Sequence, residues 1–169
     1  NIMELHGKPL IYYPLDAAKK SKYIDYITVS TDSSNIAELC FNRGVSTPFI
    51  RPASLAKDDT PSSDVILHAL EELKEKLTDY EYLVLLEPTS PLTNSLDIDT
   101  ALEKLEKESN NYDSLISVSK VEATHPQFCL SIDNNQITPF TSEFATDIPR
   151  RQDIKDLYFL DGSIYITKI

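Results

Sequence analysis

The run Tyr82-Leu83-Val84-Leu85-Leu86-Glu87-Pro88-Thr89-Ser90-Pro91-Leu92 constrains the fold of this chain more than any other stretch. Leu83 to Leu86 is continuously apolar, which is how a strand reads when both of its faces are buried in a mostly parallel sheet. The apolar run stops at Glu87, and two prolines, a threonine and a serine follow at once. Proline cannot extend a strand ladder, so the strand must end there. Open α/β sheets bind ligands outside the carboxyl ends of their strands, which makes this loop the natural floor of a site. The alternative is a proline-stiffened connection that binds nothing.

The remaining chain supplies an alternation of helices and strands. Ile11 to Ser21 carries Ile11, Leu15 and Ala18 at helical spacing before a lysine-rich end, and Pro14 lies near enough to the start to be tolerated. Tyr26-Ile27-Thr28-Val29-Ser30 is β-branched and aromatic and predicts a strand. Thr31 to Ser34 offers cap residues for a helix with Ile36, Ala37, Leu39 and Cys40 on one face, closed by Gly44. Val45 to Ile50 reads as a short strand.

A long polar loop from Arg51 to Ser63 follows, and loops of that length in a compact domain are more often functional than idle. Val65, Leu67, Leu70, Leu73 and Leu77 mark an amphipathic helix entered through Ser62 or Ser63, with His68 as a structural residue on its apolar side. Ser95-Leu96-Asp97 opens another helix, in which Ile98, Leu102 and Leu105 face the core; Ser114 to Val121 predicts a strand. This order implies crossover connections and a parallel sheet, hence an α/β fold. The pattern breaks from Thr124 to Asp153. There Phe128 to Ile132 and Gln136 to Thr138 read as β runs around the turn Asp133-Asn134-Asn135, an excursion toward a partner subunit. Ser163 to Thr167 restores a strand.

Composition narrows the function. A chain of 169 residues, 41% hydrophobic, suits one globular domain, and no apolar run approaches the roughly 18 residues of a membrane span. Cys40 and Cys129 lie in no metal-ligand spacing and read as free thiols of a reducing compartment, so a cytoplasmic protein is expected. A formal net charge of −11 argues against a general nucleic-acid binder. It still allows a small anionic substrate, provided arginines and a divalent cation offset repulsion locally. No Ser-His-Asp or Cys-His arrangement offers a covalent nucleophile. Because the chain opens at Asn1 and stops just after a strand, it is expected to be incomplete at both ends.

Taken together, Asn1, Gly7-Lys8-Pro9-Leu10, Val29-Ser30-Thr31-Asp32, Arg51-Pro52-Ala53, Asp58 to Ser63, Pro88-Thr89-Ser90-Pro91-Leu92, Arg150-Arg151-Gln152-Asp153 and Gly162-Ser163-Ile164-Tyr165-Ile166 run in the order of one family. The chain resembles the cytidylyltransferases that activate acidic sugars, among them the CMP-sialic acid synthetases. The resemblance implies a Rossmann-like three-layer nucleotidyltransferase sheet spanning 1–169, with 124–153 as a β-rich dimerisation arm. It implies transfer of CMP from CTP to an acidic nine-carbon sugar, use of Mg²⁺, and a homodimer. By motif position, Asn1, Arg51 and Ser62 would contact the nucleotide. Glu87 and Thr89 would face the sugar, with Tyr165, Arg150 and Asp161 on its far side or from the partner. The resemblance names no catalytic residue or metal ligand here, because the family's phosphate-cradling loop would precede Asn1 and its acidic metal-holding segment would follow Ile169.

The chain departs from the family pattern at the sugar. Glu87 stands for a glutamine, Thr93 and Phe159 for arginines, and Asp161 for an asparagine. A pocket that loses two cations and gains two acids should bind a carboxylate sugar less well. Either the sugar differs (a legionaminic-, pseudaminic- or ketodeoxyoctonic-type acid) or Arg151 compensates. A third alternative is a relative that binds nucleotide or sugar without catalysing transfer.

Overall fold

A computed structural model of the chain describes residues 1–122, 124–140 and 150–169. These divide into two compact units, Asn1–Ile116 with Gly162–Ile169, and Ser117–Asp161.

The first unit holds four helices. α1 (Tyr12–Lys20) takes Pro14 within its first turn, where a missing N–H costs no helical bond. α2 (Ser34–Asn42) is capped by Ser33, whose hydroxyl accepts from the Ile36 N–H. α3 spans Ser62–Leu77, and α4 (Ser95–Lys107) starts in a full capping box between Asn94 and Asp97. A small hairpin that the sequence reading missed precedes them: β1 (Glu4–Leu5) pairs with β2 (Lys8–Pro9) around His6 and Gly7, both at positive φ.

β3 (Tyr82–Leu86) is the strand expected from the apolar run, but its neighbour is antiparallel. That neighbour is β7 (Tyr158–Lys168), which lies between β3 and β4 (Ser114–Lys120) in the sheet order β3-β7-β4. The expected strands over 26–30 and 45–50 reduce to one parallel bridge between Thr28 and Ser46. Burial differs accordingly. Every residue of β3 is only half-buried, because β3 is an edge strand and its apolar side chains border an open cavity rather than a second neighbour.

Two apolar clusters hold this unit. Ala17, Ile98, Leu102, Leu105, Ile164 and Ile166 join α1 and α4 to β7. Ile11, Leu15, Cys40 and Val45 join α1 to α2, and burial raises the pKa of the Cys40 thiol. Asp99, buried on α4, accepts from the Ser21 hydroxyl at 2.6 Å and the Lys22 N–H at 3.0 Å, so the cost of burying it is offset by donors at the end of α1.

In the second unit, β5 (Leu130–Asp133) and β6 (Gln136–Pro139) form an antiparallel hairpin. Its turn residues Asn134 and Asn135 both have positive φ, the conformation a two-residue hairpin turn demands. Buried His125 bridges the carbonyl of Lys155 and the N–H of Gln127. The excursion expected over 124–153 falls within this unit. Its apolar residues Phe144 and Ile148 lie outside the described residues.

Candidate functional site

The carboxyl end of β3, the segment 24–32, the polar loop and α3 border one cavity of about 1150 Å³ in the first unit. Val29, Leu70, Leu83 and Leu85 are among its apolar lining. Asn1, Arg51, Ser62 and Glu87 all line it. The nucleotide residues expected from sequence are therefore brought together.

Arg51 is held by its main chain, whose N–H donates to the Thr31 carbonyl at 2.9 Å. Its Nη2 lies 3.7 Å from Asp32 Oδ1, a long ion pair that leaves the guanidinium free to donate elsewhere. Arg51 Nε is sealed from solvent and has no hydrogen-bond partner among the described residues. The same is true of Ser30 Oγ. Thr31, between Ser30 and Asp32, is buried, and its hydroxyl accepts from the Ser33 N–H at 3.1 Å.

Ser62 is the first helical residue of α3, not its cap. Pro61 holds the cap position and supplies no side-chain acceptor; its carbonyl accepts from the Asp64 N–H at 3.1 Å, and Ser62 lines the cavity. Asn1 is anchored by its carbonyl, which accepts from the Ile11 N–H at 3.0 Å.

The sugar residues expected from sequence divide between the two units. Glu87 accepts from the Thr89 hydroxyl at 3.3 Å, and the Ser90 hydroxyl fastens this loop to the Gly162 carbonyl at 3.1 Å. Tyr165 pairs with Leu85 in the sheet and alternates with buried Ile164 and Ile166, so it sits on the sheet face opposite that core. Arg150 and Asp161 belong to the second unit. Arg150 is exposed and donates from Nε to Asp153 at 2.8 Å. Asp161 accepts from the hydroxyls of Ser117 at 2.5 Å and Ser119 at 3.0 Å. Sequence reading missed these serines, although Ser117 and Ser119, two residues apart, share one face of β4. The His68 ring meets Phe49 edge-on, and Nε2 lies 3.8 Å from Glu72.

Among the described residues, no three Asp, Glu, His or Cys side chains converge as a cation site. No helix among them is long and apolar enough to cross a membrane.

Residues 1–165 match the cytidylyltransferase family, and the chain belongs to it. It is 35% identical over 178 residues to an N-acylneuraminate cytidylyltransferase of Streptococcus agalactiae, covering 99% of this chain and 39% of the relative. It is 33% identical to a CMP-N,N'-diacetyllegionaminic acid synthase of Legionella pneumophila, covering 99% of this chain and 70% of that one. A solved CMP:2-keto-3-deoxy-manno-octonic acid synthetase complexed with CTP shares the fold, with a TM-score of 0.68 and 14% identity over 99% of this chain and 66% of its own. The architecture is thus an α/β nucleotidyltransferase fold. The chain spans about two fifths of the length of the streptococcal relative.

Proposed function

We propose that the protein containing this chain transfers CMP from CTP to an acidic nine-carbon, sialic-type sugar. The observation that carries this reading is the convergence of Asn1, Arg51 and Ser62 on one cavity beside the loop after β3, in a chain of the cytidylyltransferase family. In the reaction the sugar's anomeric hydroxyl attacks the α-phosphorus of CTP. The new oxygen–phosphorus bond replaces the bond to pyrophosphate, and the hydroxyl proton is lost. The protein's task is to align nucleophile and phosphorus and to offset charge. Arg51 supplies charge-assisted hydrogen bonds, and the uncapped start of α3 at Ser62 supplies N–H groups. Mg²⁺ is proposed to arrive with the triphosphate, whose oxygens are hard ligands of the kind this ion prefers.

A second reading keeps the cytidylyl transfer and changes the sugar to a legionaminic- or pseudaminic-type acid. It is favoured by Glu87, a carboxyl group at the cavity border where the family pattern has a glutamine. An ionised carboxylate only accepts hydrogen bonds, so it suits a sugar that presents O–H or N–H donors at that point rather than an acceptor. The dimer is proposed from the second unit. Leu130, Ile132, Ile137 and Phe140 of its hairpin region are each more than half exposed, and an apolar surface of this kind is most simply covered by a second copy.

The test is pyrophosphate release by the intact protein with Mg²⁺, comparing CTP with ATP and GTP and sialic with legionaminic and pseudaminic acids. Release from CTP with one acidic sugar supports the reading, and the preferred sugar selects between its two forms. Equal turnover of all nucleotides removes the cytidylyl assignment. Binding of CTP without turnover of any sugar identifies an inactive relative.

A further inference from the structure

The loop between β3 and α4 is built from two consecutive turns that share one residue. The Ser90 N–H donates to the Glu87 carbonyl at 3.2 Å, and the Thr93 N–H donates to the Ser90 carbonyl at 3.2 Å. Each turn has a proline, Pro88 or Pro91, at its second position, where a fixed φ presets the bend. Ser90 therefore closes the first turn and opens the second. Its half-buried hydroxyl donates to the Gly162 carbonyl at 3.1 Å. The β3–β7 ladder ends at Leu86 and Ile164, so this bond lies beyond the last paired residues of both strands. Among the described residues it is the side-chain hydrogen bond that ties 87–93 to another element, whereas that of Thr89 stays within the loop, on Glu87.

We infer that Ser90 is a positioning residue, which from the corner shared by the two turns holds Glu87 and Thr89 at the border of the cavity. Glu87 and Pro88 line that cavity and Ser90 does not, so its effect passes through the turn. The prolines stiffen each turn internally, but they do not fix where the pair of turns sits. A stiff loop moves as a body, and the bond to Gly162 anchors that body to β7. Without the bond the loop would be in place only part of the time. The apparent affinity for a ligand held by Glu87 and Thr89 would then fall in proportion. The net strength of one hydrogen bond sets that factor at about three to ten. The inference rests on the reading that Glu87 and Thr89 face the sugar, but it gives a role to a residue which that reading leaves without one.

The experiment compares wild type, Ser90→Ala and Ser90→Thr in the intact protein. Steady-state kinetics use CTP, Mg²⁺ and whichever of sialic, legionaminic and pseudaminic acids the wild type turns over fastest. Thermal unfolding is measured alongside. Order parameters and relaxation dispersion of the Glu87, Thr89 and Thr93 amides, without ligand, read the motion of the loop itself.

In Ser90→Ala, kcat/KM for the sugar should fall about three- to tenfold, while the KM for CTP moves by less than about twofold. The three amides should become more mobile. Ser90→Thr, which keeps the hydroxyl, should recover most of the loss. A lower Tm with unchanged sugar kinetics would overturn the inference, because a merely structural bond behaves in that way. A loss shared equally by CTP and the sugar would overturn it too, by marking a general loosening of the first unit. Wild-type protein that turns over none of these sugars removes the functional reading. The amides then still decide the positioning: a loop as rigid in Ser90→Ala as in wild type overturns it.

Discussion

The main-chain N–H of Arg51 donates to the carbonyl of Thr31 across 2.9 Å, so the start of the polar loop is stitched to the segment that carries Ser30 and Asp32. This bond explains how an arginine on a loop can hold a defined place. Its backbone is fixed by a neighbour, and its side chain makes a long contact with Asp32.

The first prediction concerns that side chain. Arg51→Ala should raise the KM for CTP by about tenfold or more, since hydrogen bonds to charged groups contribute roughly 1.5–3 kcal/mol. Arg51→Lys should recover only part of the affinity, because a lysine lacks the planar fork and the Nε donor. Steady-state kinetics with the sugar held saturating measure both. An unchanged KM for CTP would reduce Arg51 to an ion-pair partner of Asp32.

Asp16 gives a prediction about pH. Burial pushes its pKa up, but hydrogen bonds and charges from Lys8, at 2.5 Å, and Arg43 outweigh that effect and hold it below the ordinary carboxylate value of 3.8. A carboxyl whose folded pKa is depressed stabilises the protein above its unfolded pKa. It loses that contribution as pH falls through the folded value. Asp16→Asn should therefore lower stability at neutral pH by about 1–3 kcal/mol. The gap between variant and wild type should narrow below about pH 4. Urea unfolding at pH 7, 5 and 3 checks this. A gap that does not change with pH would assign the loss to packing.

Much of the fold was legible because it depends on local pattern. The helix over Ser95–Lys107 was expected from its start at Ser95-Leu96-Asp97 and from Ile98, Leu102 and Leu105 on one face. The turn at Asn134-Asn135 follows from residues that tolerate positive φ. What was not legible depends on partners. Tyr26 to Ser30 has strand composition, yet it makes one bridge, because a strand exists only through a neighbour that composition does not name. The direction of β7 relative to β3 was hidden for the same reason. At the site, motif order identified Arg51 and Ser62, whereas the burial of the Ser30 hydroxyl without a partner among the described residues is a property of packing that no motif carries.

Asn94 tests how far the capping box supports the first unit. Its side chain accepts from the N–H groups of Leu96 at 2.8 Å and Asp97 at 3.2 Å, and Asp97 accepts in return from the Asn94 N–H at 3.0 Å. Loss of such a cap costs about 1 kcal/mol. Asn94→Ala should lower the unfolding free energy by that amount, and Asn94→Ser should restore most of it. Ile98→Ala, which empties a fully buried core position one turn further on, should cost more, roughly 2–5 kcal/mol. A negligible loss from Asn94→Ala beside the full loss from Ile98→Ala would mean that α4 is held by packing that its cap barely influences.

Asp161 poses the sharpest question about the sugar. Its carboxylate accepts from Ser117 at 2.5 Å and Ser119 at 3.0 Å, so it ties β7 to β4. The same carboxylate was expected from motif position to face the sugar, where an acid would repel a carboxylate substrate. Asp161→Asn separates the two roles. The amide keeps an oxygen that accepts from one serine, and the other hydroxyl can rotate to accept from its NH₂, so stability should change by no more than about 1 kcal/mol. If Asp161 also meets an acidic sugar, removing its charge should lower the KM for that sugar about fivefold. That corresponds to roughly 1 kcal/mol, the repulsion of two unit charges 4 Å apart in water. The advantage should shrink as salt rises, since mobile ions screen the repulsion in the wild type. The KM for CTP should not move. A variant with an unaltered sugar KM at low salt would leave Asp161 as a strut between two strands and would shift the search for the sugar pocket to Glu87 and Tyr165 in the first unit.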